Sequence, residues 1–198
     1  MPRIAEGRPP AEPTTELQRD RCERMLTAAA RLGALHGFEH VQMQEVAAEA
    51  GVAIGTLYRY YPSKHQLFAG LMNRNLAALR RAGTTAATAD PASAVGDLVA
   101  RACTDMLRHP LLARAMIHSV NAVRSEHGGA ADTTLRDRIL EVAGISEPSD
   151  DDLRLARLVD QCAYGVLTWA VAGETSPADA VTDLRRACDL LLEPWSRR

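Results

Sequence analysis

VQMQEVAAEAGVAIGTLYRYYPSK, residues 41–64, decides how the rest of the chain is read. Val46, Ala47 and Ala50 form a stripe of mostly small apolar side chains at helical spacing, so a second helix can pack close across the first. Gly51 follows, where a positive φ costs nothing. Val52 and Leu57 are placed to anchor the crossing of two short helices, expected over 43–50 and 54–60. Two helices set this way send the second into a DNA major groove while the first braces against the backbone. The pattern alone leaves open a packed hairpin with half-buried tyrosines, and at least one of Tyr60 and Tyr61 is expected in the core.

Helices are signalled on both sides of this stretch. Thr15 with Gln18 reads as a capping box. Cys22, Met25, Ala29, Leu32 and His36 then recur at helical steps as far as Gly37, a C-terminal stop. Ser63 with Gln66 opens a further helix to about residue 81, and Leu71 and Leu76 on it are placed to couple the two ends of the molecule. The small, polar GTTAATA at 83–89 marks a domain boundary. Beyond it, Asp90-Pro91, His109-Pro110, Ser149 before Asp150–Asp152, and Ser176-Pro177 each put a cap residue or proline at a helix start. These give helices over about 91–108, 111–126, 131–143, 150–172 and 177–192. The fold class is all-α with nine helices. Its domains are a charged, proline-rich arm without order over 1–14, a helix-turn-helix head over 15–82, and a larger helical body over 90–198.

Composition agrees. Hydrophobic residues make up 46% of the 198 residues but aromatics only 4%, and a core of Ala, Leu and Val suits helices better than strands. Net charge is only −2, yet residues 1–81 carry 11 Lys and Arg against 8 acids, and residues 82–198 carry 12 against 17. A positive head on an acidic body fits a protein that presents one end to a polyanion. No signal segment or long apolar run is visible, which places the protein in the cytoplasm with no membrane partner. Cys22, Cys103, Cys162 and Cys188 are widely spaced and read as small buried residues, although a redox role for one of them stays open. No GxSxG, Walker loop, HExxH or metal-ligand spacing occurs, so neither enzyme chemistry nor a cofactor or metal is expected. Asp150–Asp152 reads as an exposed helix start.

The run AAEAGVAIGTLYRYYPSK, behind a capped amphipathic helix, resembles the DNA-binding head of the tetracycline-repressor (TetR) family. RHPLLARAM at 108–116 and LTWAVAGETSPADAVTDLRRACDLLL at 167–192 are similar to the subgroup that represses sterol catabolism. The resemblance implies DNA contacts from Gln42, Gln44, Gly55, Thr56, Tyr58, Tyr60 and Lys64, with Arg59 at a position that varies and so bears on specificity. Lys64, the single lysine of the chain, is placed for a phosphate. Ala53 and Gln42 depart from the family, which often has hydroxyl caps there.

The resemblance also implies a body that encloses a small hydrophobic effector, steroid-derived or a fatty acyl-CoA. Met106, Met116, His118, Asn121, Tyr164 and Trp169 have the mix expected of its wall. A homodimer would set two heads on a palindromic double-stranded operator. Leu155, Val159, Cys162 and Val166, continued by Leu158 and Trp169, form one seam at interhelical spacing. Val181, Leu184, Cys188 and Leu191 form the other. The expected function is a repressor released by its effector; an effector-independent binder or an activator on the same scaffold is the alternative, with an all-α enzyme behind it.

Overall fold

The structure, a computed structural model, describes residues 10–81, 90–127 and 133–197. All regular structure among them is helical: α1 Glu16–His40, α2 Met43–Glu49, α3 Ile54–Tyr60, α4 Lys64–Arg81, α5 Pro91–Leu107, α6 Pro110–His127, α7 Thr134–Val142, α8 Asp150–Ala172, α9 Pro177–Leu191 and α10 Glu193–Ser196. The expected all-α architecture stands, with ten helices among the described residues instead of nine. The expected boundary at 83–89 and the arm residues 1–9 lie outside the described residues.

Local chemistry explains the helix starts. Thr15 and Gln18 form a reciprocal capping box on α1, and Ser149 and Asp152 do the same on α8. Ser63 Oγ accepts from the Gln66 amide at 3.1 Å. Asp90 and Ser176 cap α5 and α9, each followed by proline in the first turn. A cap of this kind stabilises a helix by about 1 kcal/mol by pairing one of its unpaired N–H groups. Gly37, at φ 73°, breaks the helical path of α1 where the sequence placed its stop, and one further turn follows before His40.

α1, α2 and α3 form the head, and α4 runs from the head into the body. α1 and α4 both lie against α6, and Gly33 makes this crossing possible. A Cβ there would sit 2.7 Å from Phe68 and 2.9 Å from Leu112, closer than any packed side chain tolerates. Phe68, Leu67 and Leu71 of α4 are fully buried in the joint. In the body, α9 packs along α5 and α8, and α7 along α8.

The tenth helix closes the body. Trp195 is 3% exposed, and its indole N–H donates to Asp152 Oδ1 at 2.8 Å. Asp152 is itself buried, so the acidic run at 150–152 is an exposed helix start only at its first two members. Ser196 Oγ bonds Asp90 at the start of α5. With the Ser93 cap, that bond holds the Asp90 carboxyl down near 2.

Part of the expected arm lies among the described residues. Residues 10–14 are placed, with Thr14 N–H donating to Gln18 Oε1 at 2.8 Å and Ala11 N–H donating to the Arg59 carbonyl at 3.0 Å. These bonds give Ala11 and Thr14, in the last part of the expected arm, hydrogen-bond partners in the head.

Candidate functional site

The turn between α2 and α3 is held from behind. Gly51 takes φ 63°. Arg24 of α1 donates to the Ala50 carbonyl at 2.5 Å, and Arg31 pairs through two nitrogens with Glu49 at the end of α2. Two arginines from one helix thus fix the end of α2, and through it the angle of α3. Val46 and Leu57 are completely buried at the crossing, and half-buried Val52 packs beside them.

α3 then divides cleanly by helical phase. Ile54, Gly55, Tyr58 and Arg59 are exposed and share one face, Thr56 is half-buried at its edge, and Leu57 and Tyr60 point inward. A Cβ built on Gly55 would meet nothing within 4 Å, so nothing inside the protein requires glycine there. Gln42 and Gln44, around the start of α2, are exposed beside this face. The Glu45 side chain accepts from the Gln42 amide at 3.4 Å. Ala53 places no side-chain cap on α3.

Two expected DNA contacts turn inward. Tyr60 is 6% exposed and belongs to the head core. Lys64 Nζ donates to the carbonyls of Phe38, Glu39 and Val41 at 2.7, 3.4 and 3.2 Å, and lies 4.3 Å from the centre of the Phe38 ring. The break at Gly37 delivers those carbonyls, and one cation satisfies the end of α1. In this arrangement its ammonium is bonded within the fold. Tyr61 is half-buried, and burial pushes its hydroxyl well above the usual tyrosine range, with Cys22 as its neighbour.

An apolar cavity of about 280 Å³ opens between α4, α5, α6, α7 and α8. Met72 and Leu76 come from α4, Val99, Cys103 and Met106 from α5, Val120 and Val123 from α6, Leu135 from α7, and Tyr164 and Leu167 from α8. A second space of about 370 Å³ shares Met72, Leu76, Ala102 and Met106 with it and reaches Met116. Polar groups on the first wall are few. Asp160 pairs with Arg136 at 3.6 Å, Tyr164 hydroxyl donates to the Ile117 carbonyl at 3.1 Å, and the Arg124 guanidinium lies 5.2 Å from the Tyr164 ring centre.

Of the six residues expected on the wall, Met106 and Tyr164 line the first space and Met116 the second. His118, Asn121 and Trp169 do not line either. His118 is exposed and joins an aromatic cluster with Phe38 and His65, at ring distances of 5.2 and 5.0 Å. Asn121 is exposed, and Trp169 is 56% exposed on the outer side of α8. The wall residues that the sequence did not single out come from every helix around the cavity, Met72 and Leu76 of α4, Val99 of α5, Val120 and Val123 of α6, Leu135 of α7 and Leu167 of α8 among them. Their apolar pattern looks the same whether they face a cavity or a neighbouring helix.

The expected seams are also rotated. Val159, Leu184 and Cys188 are 1–2% exposed inside the chain, because α9 packs along α5 with Gly96 beneath Cys188. Leu155, Cys162, Val166, Val181 and Leu191 are half-buried. The outward apolar stripe on α8 is Leu158, Cys162, Gly165 and Trp169, at 4-3-4 spacing, and Leu190 is exposed on α9.

Among the described residues no helix is long and apolar enough to cross a membrane. They also include no group of three or more side chains able to hold a metal.

Residues 25–71 match the bacterial regulatory proteins of the tetR family, and residues 88–191 match a tetracyclin repressor-like C-terminal domain. The chain is 30% identical over 188 residues to the HTH-type transcriptional repressor KstR of Rhodococcus jostii (strain RHA1), covering 93% of this chain and 89% of that one. A solved TetR transcriptional regulator from Rhodococcus sp. RHA1 superposes with a TM-score of 0.79 at 39% identity, over 89% of this chain and 98% of that one. Thermus thermophilus FadR, a TetR-family repressor solved with lauroyl-CoA, shares the fold at a TM-score of 0.62 and 22% identity, over 87% and 93%. With an exposed short helix set by a glycine turn at one end and a helical body at the other, this chain belongs to the tetR family of bacterial transcriptional regulators.

Proposed function

We propose that this protein is a cytoplasmic repressor that holds a palindromic operator as a homodimer and lets go when a hydrophobic small molecule fills the body cavity. The outer face of α3, with Gly55, Thr56, Tyr58 and Arg59, enters the major groove, and Gln42 and Gln44 brace beside it. Tyr58 and Arg59 supply hydroxyl and guanidinium groups for base edges or phosphates, and exposed Ile54 offers an apolar surface to a thymine methyl. The α8 stripe through Leu158 and Trp169 pairs the two subunits.

One observation carries this reading: α4 belongs to both ends. Its first residue fastens the end of α1 behind the head, and about two and three turns later Met72 and Leu76 line the cavity. A ligand acts only through a preference for one arrangement of this helix, and moving the DNA-competent fraction from 99:1 to 1:99 takes about 5.5 kcal/mol of such preference. The apolar wall and the lauroyl-CoA held by the FadR relative favour a fatty acyl-CoA or a steroid-derived molecule as effector.

A gel shift on the protein's own upstream region tests this, with lauroyl-CoA and a steroid carboxylate as separate additions. Sequence-specific binding that either ligand releases is the expected result. Specific binding that neither ligand alters at saturation refutes the effector reading for these two classes, and absence of specific binding refutes the whole.

A further inference from the structure

We propose that Arg124 anchors an anionic group of the effector at the rim of the body cavity, so that the ligand is an apolar body ending in a carboxylate or a phosphate and not a neutral lipid. The proposal rests on the reading of that cavity as the effector site. Asn73, Arg124, Asp160 and Tyr164 are the strongly hydrogen-bonding side chains on a wall that is otherwise apolar. Two of the four are engaged. Asp160 pairs with Arg136 at 3.6 Å, and the Tyr164 hydroxyl donates to the Ile117 carbonyl at 3.1 Å. The other two are open. Asn73 and Arg124 are exposed, and neither side chain has a hydrogen bond or an ion pair among the described residues.

The tyrosine explains where the guanidinium is held. Its hydroxyl is tied to α6 at Ile117, and two turns farther along the same helix Arg124 lies 5.2 Å from the ring centre. A contact with the face of a ring engages none of the N–H donors, so the planar fork of Arg124 stays available for the two oxygens of a carboxylate or phosphate. Asp160 offsets Arg136, which leaves one uncompensated positive charge on this wall. Beside apolar, low-dielectric walls the field of such a charge is focused. An anionic ligand gains from it, whereas a neutral ligand gains only the burial of its apolar body. Asn73 brings an amide to the same cavity from α4, the helix that leads to the head.

The test is calorimetric titration of the full-length protein with matched ligands: decanoate, decanoyl-CoA and 1-decanol, and a steroid carboxylate with its methyl ester. A gel shift with the same additions runs alongside. Wild type is expected to bind the anions roughly tenfold or more tightly than their neutral counterparts. Arg124→Gln should lose that preference and keep its affinity for the alcohol and the ester. Arg124→Lys, with the charge but not the fork, should keep part of it. Both variants are expected to melt as wild type without ligand, because the side chain is exposed. Tighter binding of the thioester than of the free acid, lost in Arg124→Gln, assigns the contact to phosphates; the opposite order assigns it to the carboxylate. Equal affinity for charged and neutral partners in wild type, or an unchanged preference in Arg124→Gln, would overturn the anchor, and DNA release by the same ligands would leave the effector reading in place. Binding with the expected preference but without release from DNA would leave the anchor and overturn the effector reading. Binding of none of the five would overturn both.

Discussion

Lys64 Nζ donates to the carbonyl of Phe38, 26 positions earlier, at 2.7 Å, and lies over the same residue's ring. Two other carbonyls complete its shell, so the cation closes one helix while starting another. Lys64→Ala leaves the three carbonyls short of a donor and is expected to destabilise the head by about 1–3 kcal/mol. Its DNA affinity falls because α3 is held less firmly, yet the salt slope stays near wild type. A slope shallower by about 0.9 would instead reveal a phosphate contact. Urea unfolding and a salt titration on the same variant decide between them.

Gly55→Ala separates fold from recognition. No atom lies within 4 Å of the new methyl, and alanine is favoured over glycine in a helix by up to about 1 kcal/mol. The variant is expected to be as stable as wild type or slightly more so, while losing operator affinity through the lost close approach. Thermal unfolding and a gel shift give the two readouts, and unimpaired binding would remove Gly55 from the interface.

The tyrosines of α3 are expected to part company. Tyr58→Ala removes an outward ring and should cost affinity with no change in melting temperature. Tyr60→Ala empties a buried site and should cost about 3 kcal/mol of stability, as large-to-small aromatic changes do. Equal stability of the two variants would contradict the helical phase described for α3.

Met106→Trp projects a larger side chain into both cavity spaces, which it lines. Because the cavity has room beside Met106 for the larger ring, the substitution is expected to fold and to bind DNA with wild-type affinity. Ligand-dependent release should then be weakened by tenfold or more. Thermal shift with lauroyl-CoA tests whether the ligand still enters.

The thiols give a pH prediction. Burial pushes Cys103 up to about 11 and Cys188 up to about 12, and it also raises half-buried Cys162, with Asp183 adding to the effect. A folded-state pKa above the unfolded value of about 9 favours the protonated native state. That contribution is complete below pH 9 and is lost as pH rises toward 11 and 12. Alkaline unfolding should therefore steepen above pH 9 and do so less in a Cys188→Ala variant. At pH 8, iodoacetamide and mass spectrometry should find Cys103 and Cys188 unmodified in the native protein.

The parts of this molecule governed by neighbours in sequence were readable in advance. Thr15 with Gln18, Ser149 with Asp152, and the glycines at 37 and 51 act within four residues of themselves, so the helix starts and the critical turn follow from spacing. What long-range packing decides was not readable. Nothing local tells Tyr58 from Tyr60 until the crossing of α1 and α2 fixes which way α3 faces. Lys64 turns inward because the broken end of α1 arrives beside it. A seam at 3-4-3 spacing describes Leu184 and Cys188 equally well against α5 or against another subunit. A four-residue helix such as α10 shows no periodicity at all, and only the buried indole of Trp195 reveals its use.

Since α4 is both floor of the head and wall of the cavity, its side chains answer to two selective pressures at once. Descendants that acquire new ligands are expected to change first at Val99, Leu135 and Leu167, whose helices pack within the body, and to leave Met72 and Leu76 nearly as found. Inducer repertoire can then diversify by drift on one side of a shared beam, while the operator-reading end inherits its geometry intact.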